Sequence, residues 1–79
     1  MMQEVYMPKF GMSMVEGEVS KWLIKEGDWV NKGDDIVEIT ENKAIQTVQA
    51  LVSGTVEKIL VQEGETAVVG QPIAIINLQ

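Results

Sequence analysis

The chain has 79 residues, enough for one domain with a small core and too few for two. It contains neither cysteine nor histidine, so disulfides, thiolate or imidazole metal sites and nucleophiles paired with histidine are excluded. Six lysines, no arginine and twelve acidic residues give a net charge of −6, which disfavours binding to nucleic acid or to anionic membranes.

Short β-strands separated by turns are predicted along the whole chain. Val, Ile and Thr are frequent, turns such as EGD, NKGDD, EGE and VGQP separate the segments, and no window holds a helical apolar stripe. The predicted strands are residues 3–7, 18–24, 29–30, 36–41, 44–50, 55–61, 66–68 and 73–78. Lys21 falls on the same side as Val19 and Leu23 in a simple alternation, so a bulge is expected in strand 18–24 and in its counterpart 55–61.

Two segments of the chain repeat each other at an offset of 37 residues. Residues 17–39 and 54–76 align without a gap, and nine of the 23 pairs are identical, with glycines and aliphatic residues in the same order. Two copies indicate one domain, residues 1–79, built from two halves related by a quasi-two-fold axis. The predicted fold is all-β: a flattened eight-stranded barrel or sandwich of two four-stranded antiparallel sheets, a barrel-sandwich hybrid.

The two halves differ in places that favour a functional role. Before Gly17 the chain inserts PKFGMSMVE, residues 8–16, whereas only LVS precedes Gly54. A loop that has no structural counterpart is a common position for function. The joint between the halves is a turn at residues 41–43, in which Asn42 tolerates turn geometry and Lys43 is expected to point into water.

Lys43 has two interpretations. As one of six lysines it is a solvated charge that aids solubility, which is the usual role of such a residue. Its position on the joint between the halves, beside the small Ala44, instead indicates a site. An exposed amine is almost wholly protonated at neutral pH and is a poor catalyst. An enzyme can nevertheless acylate it, which removes the charge and makes the side chain a long arm.

Around Lys43 the chain resembles lipoyl domains, the carrier domains of 2-oxo acid and acetoin dehydrogenase complexes. In that family the modified lysine lies in the turn between two half-domains, usually in an Asp-Lys-Ala motif. The family has one glycine sixteen residues before the lysine and another eleven after it, and Gly27 and Gly54 hold these positions here. We interpret both as structural turn glycines. The opening MPKFGMSMVEGEV is also similar to the start of lipoyl domains in acyltransferase components.

The resemblance implies that lipoic acid is attached covalently to Lys43 and that the domain itself has no catalytic residue. We expect the domain to belong to a dihydrolipoamide acyltransferase chain; a fusion to the flavoprotein component and a stand-alone carrier are the alternatives. Its implied partners are a thiamin-dependent 2-oxo acid or acetoin dehydrogenase that acylates the arm, the acyltransferase core that transfers the acyl group to coenzyme A, and dihydrolipoamide dehydrogenase, which reoxidises the arm. A lipoate ligase or a lipoyl/octanoyl transferase would attach the cofactor. We expect the isolated domain to be monomeric, in a bacterial or archaeal cytoplasm rather than a mitochondrial matrix.

The resemblance also implies which residues the partner enzymes recognise. They are Glu41, Asn42 and Ala44 in the turn, and Phe10, Met12 and Met14 in the inserted loop, which lies close to the turn in the family. The other interpretation of Met12 and Met14 is that they fill one end of the barrel, because methionine packs well into irregular gaps. The adjacent acids Asp34 and Asp35 predict a solvated turn and no metal site.

One residue departs from the family pattern, and two other functions stay open. Asn42 stands where aspartate is usual; it keeps the turn-forming side chain without the charge, which bears on recognition more than on the fold. A biotin carboxyl carrier domain would share the fold, but it places its lysine between two methionines, whereas Lys43 lies between Asn42 and Ala44. An unmodified adaptor domain of the same hybrid fold would need no modified lysine.

Overall fold

The computed structural model describes residues 1–78, and its regular elements are β-strands. These strands are β1 Met2–Tyr6, β2 Glu16–Trp22, β3 Trp29–Val30, β4 Asp35–Glu41, β5 Ala44–Gln49, β6 Gly54–Ile59, β7 Thr66–Val68 and β8 Pro72–Asn77. All eight predicted strands are present, with ends within two residues of the prediction. Within residues 1–78 no helix has the length and apolarity needed to cross a membrane.

The strands form two four-stranded antiparallel sheets, in the orders β1-β8-β6-β3 and β5-β4-β2-β7. The offset of 37 residues relates β2 to β6, β3 to β7 and β4 to β8, while β5 corresponds to β1. The two sheet orders are therefore equivalent, which confirms the predicted fold class and its quasi-two-fold symmetry. The molecule measures 35 × 20 × 19 Å.

The core lies between the sheets and is built from symmetry-related aliphatic residues. Five related pairs are buried: Val19/Val56, Val30/Ala67, Ile36/Ile73, Val37/Ala74 and Ile39/Ile76. Buried polar side chains are absent from the part of the chain that the structure describes. Burial of the inward residues of both sheets is the main source of stability in so small a domain.

The bulges predicted in β2 and β6 are present, and beyond each bulge the last residue of the strand donates to a glutamate from the other half. The register shifts between Val19 and Lys21 and again between Val56 and Lys58. The Trp22 N–H donates to Glu63 Oε2 at 2.8 Å, and the Ile59 N–H donates to Glu26 Oε2 at 2.9 Å. Backbone N–H groups of the last residues of β2 and β6 thus find partners across the quasi-two-fold axis.

Gly27 and Gly54 have different structural roles. Gly27 lies in a turn with φ +94°, a conformation that favours glycine, and its N–H donates to Val56 O at 2.8 Å. The prediction that Gly54 is a turn residue is wrong, because Gly54 is the first residue of β6. A methyl group there would clash with the Asn77 carbonyl oxygen and would lie 2.8 Å from Ile76 Cγ2. Glycine is needed at this position for close packing against β8.

The two ends of the described chain pair with each other. The Leu78 N–H donates to Met1 O at 2.7 Å, and Met2 lies opposite Asn77 in the sheet. The quasi-two-fold relation places this pair where the other half has the connection from β4 to β5. One half therefore has a closed turn at this position, and the other half has paired strands there.

Candidate functional site

The connection from β4 to β5 is a tight two-residue turn formed by Asn42 and Lys43. Glu41 and Ala44 pair on either side of it, and both central residues have positive φ, 53° for Asn42 and 66° for Lys43. Positive φ at both positions is typical of a type I′ turn, whose twist matches that of the flanking strands. Asparagine adopts this conformation readily, whereas a left-handed lysine costs about 1–2 kcal/mol. The sheet pairing on both sides holds the lysine in that conformation.

The side chain of Lys43 is exposed at the outer end of this turn. Asn42 and Ala44 are also exposed, and Glu41 is half-buried. Ala44 is small, so the residue after the lysine adds little bulk beside the amine. The geometry suits covalent attachment of an acyl group: the amine is open to solvent, and the backbone under it is fixed by paired strands.

The inserted loop separates the two methionines that were predicted to act together. Met12 is 96% exposed, whereas Met14 is 4% exposed and belongs to the hydrophobic core. Phe10 lies between these extremes at 36%. Met14 is therefore not available for direct contact with a partner, and the core interpretation applies to it. The recognition interpretation is open for Phe10 and Met12.

The inserted loop and the turn share one groove of about 460 Å³. Ser13 and Val15 line it from the loop, and Glu41 and Asn42 line it from the turn. Its remaining lining residues come from β2, β4 and β7: Glu16, Gly17, Glu18, Thr40 and Thr66. Beside it, the Ser20 and Thr40 hydroxyls are hydrogen-bonded to each other. The predicted closeness of loop and turn is thus present in the fold.

The residues of β2 and β7 in this groove were not predicted from the sequence. Glu16 and Glu18 point outward from β2, on either side of the buried Gly17, and Thr66 pairs with Glu18 from β7. Strict alternation around Gly17 is a signal that could have placed both glutamates on the outer face. The pairing of β2 with β7 links distant segments and has no local signal in the sequence.

The acidic pair Asp34 and Asp35 takes part in local hydrogen bonds. Asp34 Oδ2 accepts from the Asn31 N–H at 2.8 Å, and Asp35 Oδ1 accepts from Gln49 Nε2 at 3.4 Å. Both residues are exposed, as expected for a solvated turn. A group of three potential metal-binding side chains is not found within residues 1–78.

The family described as "Biotin-requiring enzyme", the biotin/lipoyl family, matches residues 3–76. The chain belongs to this family. A similar relative is the dihydrolipoyllysine-residue acetyltransferase component of the pyruvate dehydrogenase complex of Zymomonas mobilis, 48% identical over 73 residues, which covers 91% of this chain and 17% of the relative. The component of the same name from Staphylococcus epidermidis is 42% identical over 74 residues, covering 94% of this chain and 17% of the relative.

Three solved structures are similar to this chain. The lipoyl domain of the 2-oxoglutarate dehydrogenase complex from Azotobacter vinelandii superposes with a TM-score of 0.77 at 28% identity, covering 94% of both chains. The Kluyveromyces lactis urea carboxylase matches with a TM-score of 0.80 at 30% identity, over 98% of this chain and 6% of the carboxylase. A single-chain long-chain acyl-CoA carboxylase matches at 17% identity, with a TM-score of 0.81 over 99% of this chain and 7% of that one; this likeness concerns the fold alone.

Proposed function

We propose that Lys43 is the attachment site of lipoic acid and that the domain is a swinging-arm carrier of a 2-oxo acid or acetoin dehydrogenase complex. The observation that carries the proposal is the position of Lys43: an exposed lysine with φ 66° in the tight turn that joins two quasi-symmetric halves. The similarity to two acetyltransferase components named for a dihydrolipoyllysine residue supports it.

The protein's own contribution is presentation of the arm. The pairing of Glu41 with Ala44 fixes the base of the turn, and the positive φ of Asn42 and Lys43 directs the side chain away from the sheet. Lipoic acid in amide linkage supplies a dithiolane that carries acyl groups and reducing equivalents. The domain provides neither histidine nor cysteine for that chemistry, so the partner enzymes supply the acids and bases.

The proposed partners follow from this function. They are a thiamin-dependent dehydrogenase, the acyltransferase core, dihydrolipoamide dehydrogenase, and a lipoate ligase or a lipoyl/octanoyl transferase. This chain spans only 17% of the length of the acetyltransferase components it matches, so we place it as the carrier domain of such a component. The proposed recognition residues lie on the turn and on the inserted loop. Glu41 and Asn42 line the groove, and Ala44, Phe10 and Met12 are exposed on the turn and the loop.

A biotin carrier is the second candidate, since the similarity to the urea carboxylase favours it. The neighbours of Lys43 argue against this function, because neither Asn42 nor Ala44 is the methionine that biotin carriers place beside their lysine. An unmodified adaptor domain would leave the strained lysine at the turn without a purpose, since glycine fits such a position at lower cost.

Intact mass spectrometry after modification tests these alternatives. The domain is incubated with lipoate, ATP and a lipoate ligase, and in parallel with biotin, ATP and a biotin ligase. We expect a lipoyl-sized increment in the wild type and in the control Lys32→Gln, which alters another exposed lysine, and no increment in Lys43→Gln. A biotin-sized increment alone, or no increment with an active ligase, would overturn the proposal. The lipoylated domain is then offered to a panel of thiamin-dependent 2-oxo acid and acetoin dehydrogenases with their substrates.

A further inference from the structure

We infer that Met14 is a positioning residue: it holds residues 8–15 (the 8–15 loop) beside the lysine turn, and so controls acylation of the arm by the thiamin-dependent dehydrogenase. This inference rests on the proposed carrier function. Met14 itself is buried and does not touch the partner. Its effect is transmitted by the loop residues on either side of it, which line the groove shared with the turn.

Met14 makes two hydrogen bonds within the 8–15 loop. Its thioether sulfur accepts a hydrogen bond from the Phe10 N–H at 3.2 Å, and its own N–H donates to Gly11 O at 3.1 Å. Both bonds join the start of the loop to its end through one residue. A buried side chain that also accepts a backbone hydrogen bond restricts a segment in which Met12 lies in solvent and Phe10 is only partly covered.

Met14 also joins the loop to the strand that leads into the turn. A methyl group added at Gly17 would lie 3.0 Å from Met14 Cε and 2.7 Å from Ile39 Cγ2. The methionine and the isoleucine therefore both pack over the bare backbone of Gly17. Ile39 is buried in β4, two residues before Glu41. The position of the loop is thus set relative to the base of the lysine turn.

The other half of the molecule shows that the fold does not require this side chain. The offset of 37 residues relates Met14 to Leu51, which is 81% exposed. The second half forms the same strands without a buried residue at this position. The burial of Met14 is a feature of the half that carries the inserted loop.

The residues beside Met14 transmit its position to the groove. Ser13 and Val15 line the groove opposite Asn42, and Val15 O also accepts the Val69 N–H at 2.9 Å. Displacement of Met14 moves the loop side of the groove. The lysine turn is formed by the pairing of β4 with β5 and is left in place. Attachment of the cofactor and its acylation by the dehydrogenase therefore respond differently to a change at Met14.

The test compares Met14→Ala and Met14→Leu with Val56→Ala, in the full chain and after lipoylation. Val56 is a buried residue of β6 in the half without the inserted loop, so its truncation serves as a control for general loss of stability. Acylation is measured with the thiamin-dependent dehydrogenase that accepts the wild-type domain. We expect lipoylation of all three variants. The KM for the domain should rise about tenfold in Met14→Ala with kcat nearly unchanged, and by less in Met14→Leu, which keeps the volume but lacks the sulfur acceptor.

A second readout does not depend on the cofactor. Amide NMR of the unmodified domain should show faster hydrogen exchange at Phe10 in both Met14 variants and not in Val56→Ala. The inference is overturned if the Met14 variants match wild type in KM and in exchange at Phe10, or if Val56→Ala raises KM equally. Loss of lipoylation in Met14→Leu alone would also overturn it, because the lysine turn would then depend on the methionine. Failure of the wild type to accept lipoate refutes the carrier function, while the exchange measurement still decides whether Met14 orders the loop.

Discussion

The quasi-symmetric glycines Gly17 and Gly54 are expected to respond very differently to alanine. Gly17 in β2 and Gly54 in β6 are buried at equivalent positions of the two halves, and neither has a positive φ. The nearest atoms to an added methyl group at Gly17 are side-chain atoms: Ile39 Cγ2 at 2.7 Å and the flexible end of Met14, Cε, at 3.0 Å. At Gly54 the methyl group meets the carbonyl oxygen of Asn77, a backbone atom of the neighbouring strand.

The two variants should differ in free energy of unfolding because the added methyl group displaces side chains at Gly17 and a neighbouring strand at Gly54. Overpacking that side chains can absorb costs about 1 kcal/mol, and overpacking that displaces a paired strand costs about 3 kcal/mol or more. Replacing glycine by alanine also restricts the unfolded chain and returns about 0.4–1 kcal/mol in each variant, so this contribution cancels in the comparison. We expect Gly54→Ala to be less stable than Gly17→Ala by about 2 kcal/mol. In a domain of this size that difference lowers the melting temperature by roughly 10 °C.

Thermal and urea unfolding of the wild type and the two variants checks this prediction. Trp22 is a suitable fluorescence probe because it is half-buried and its indole N–H donates to Val61 O at 2.8 Å. A Gly54→Ala chain that does not fold, beside a folded Gly17→Ala chain, would agree with the expected order. Equal melting temperatures, or a lower one for Gly17→Ala, would refute the distinction between side-chain and backbone contacts.

Two further predictions concern the turn and one titrating group. Because Asn42 has φ 53°, Asn42→Ala should lower the free energy of unfolding by about 1 kcal/mol, whereas Asn42→Gly should stay near the wild type. Urea unfolding measures both, and equal losses in the two variants would contradict the strain assigned to this position. Tyr6 donates to Glu4 Oε1 at 2.8 Å, and this hydrogen bond, followed by the charge of Glu4 and slight burial, raises the pKa of the Tyr6 phenol above its usual 10.0. The small stabilisation from this contact is therefore present below the unfolded pKa and lost as the pH rises through the folded one. Glu4→Gln should lower the tyrosinate midpoint, which is measured cleanly by absorbance since the chain has one tyrosine; an unchanged midpoint would refute this.

The strands and bulges could be predicted because their signals are local. Alternating side chains fix which residues face the core, and the position of Lys21 against Val19 shows where that alternation breaks. The repeat then supplied the pairing of the halves. The family resemblance placed Lys43 in the connecting turn, and the turn is where the structure has it.

Other features depend on contacts between distant segments. The burial of Met14 next to the exposed Met12 is set by the space over Gly17, which exists only when β2 and β4 are paired. The role of Gly54 depends in the same way on how closely β6 approaches β8. The groove beside the turn requires β7 to lie against β2. Spacing along the chain carries none of this information.

The exchange of hydrogen bonds between the halves has a consequence for how the lysine turn forms. Glu63 of the second half accepts from the last residue of β2, and Glu26 of the first half accepts from the last residue of β6. Gly27 and Gly64 likewise donate to Val56 and Val19 across the axis. Neither half satisfies all of its own backbone groups, so we expect the two halves to fold together in one transition. The lysine lies on the connection between these interdependent halves. On the proposed function, an enzyme that recognises the shape of this turn is expected to modify completely folded domains and not unfolded chains.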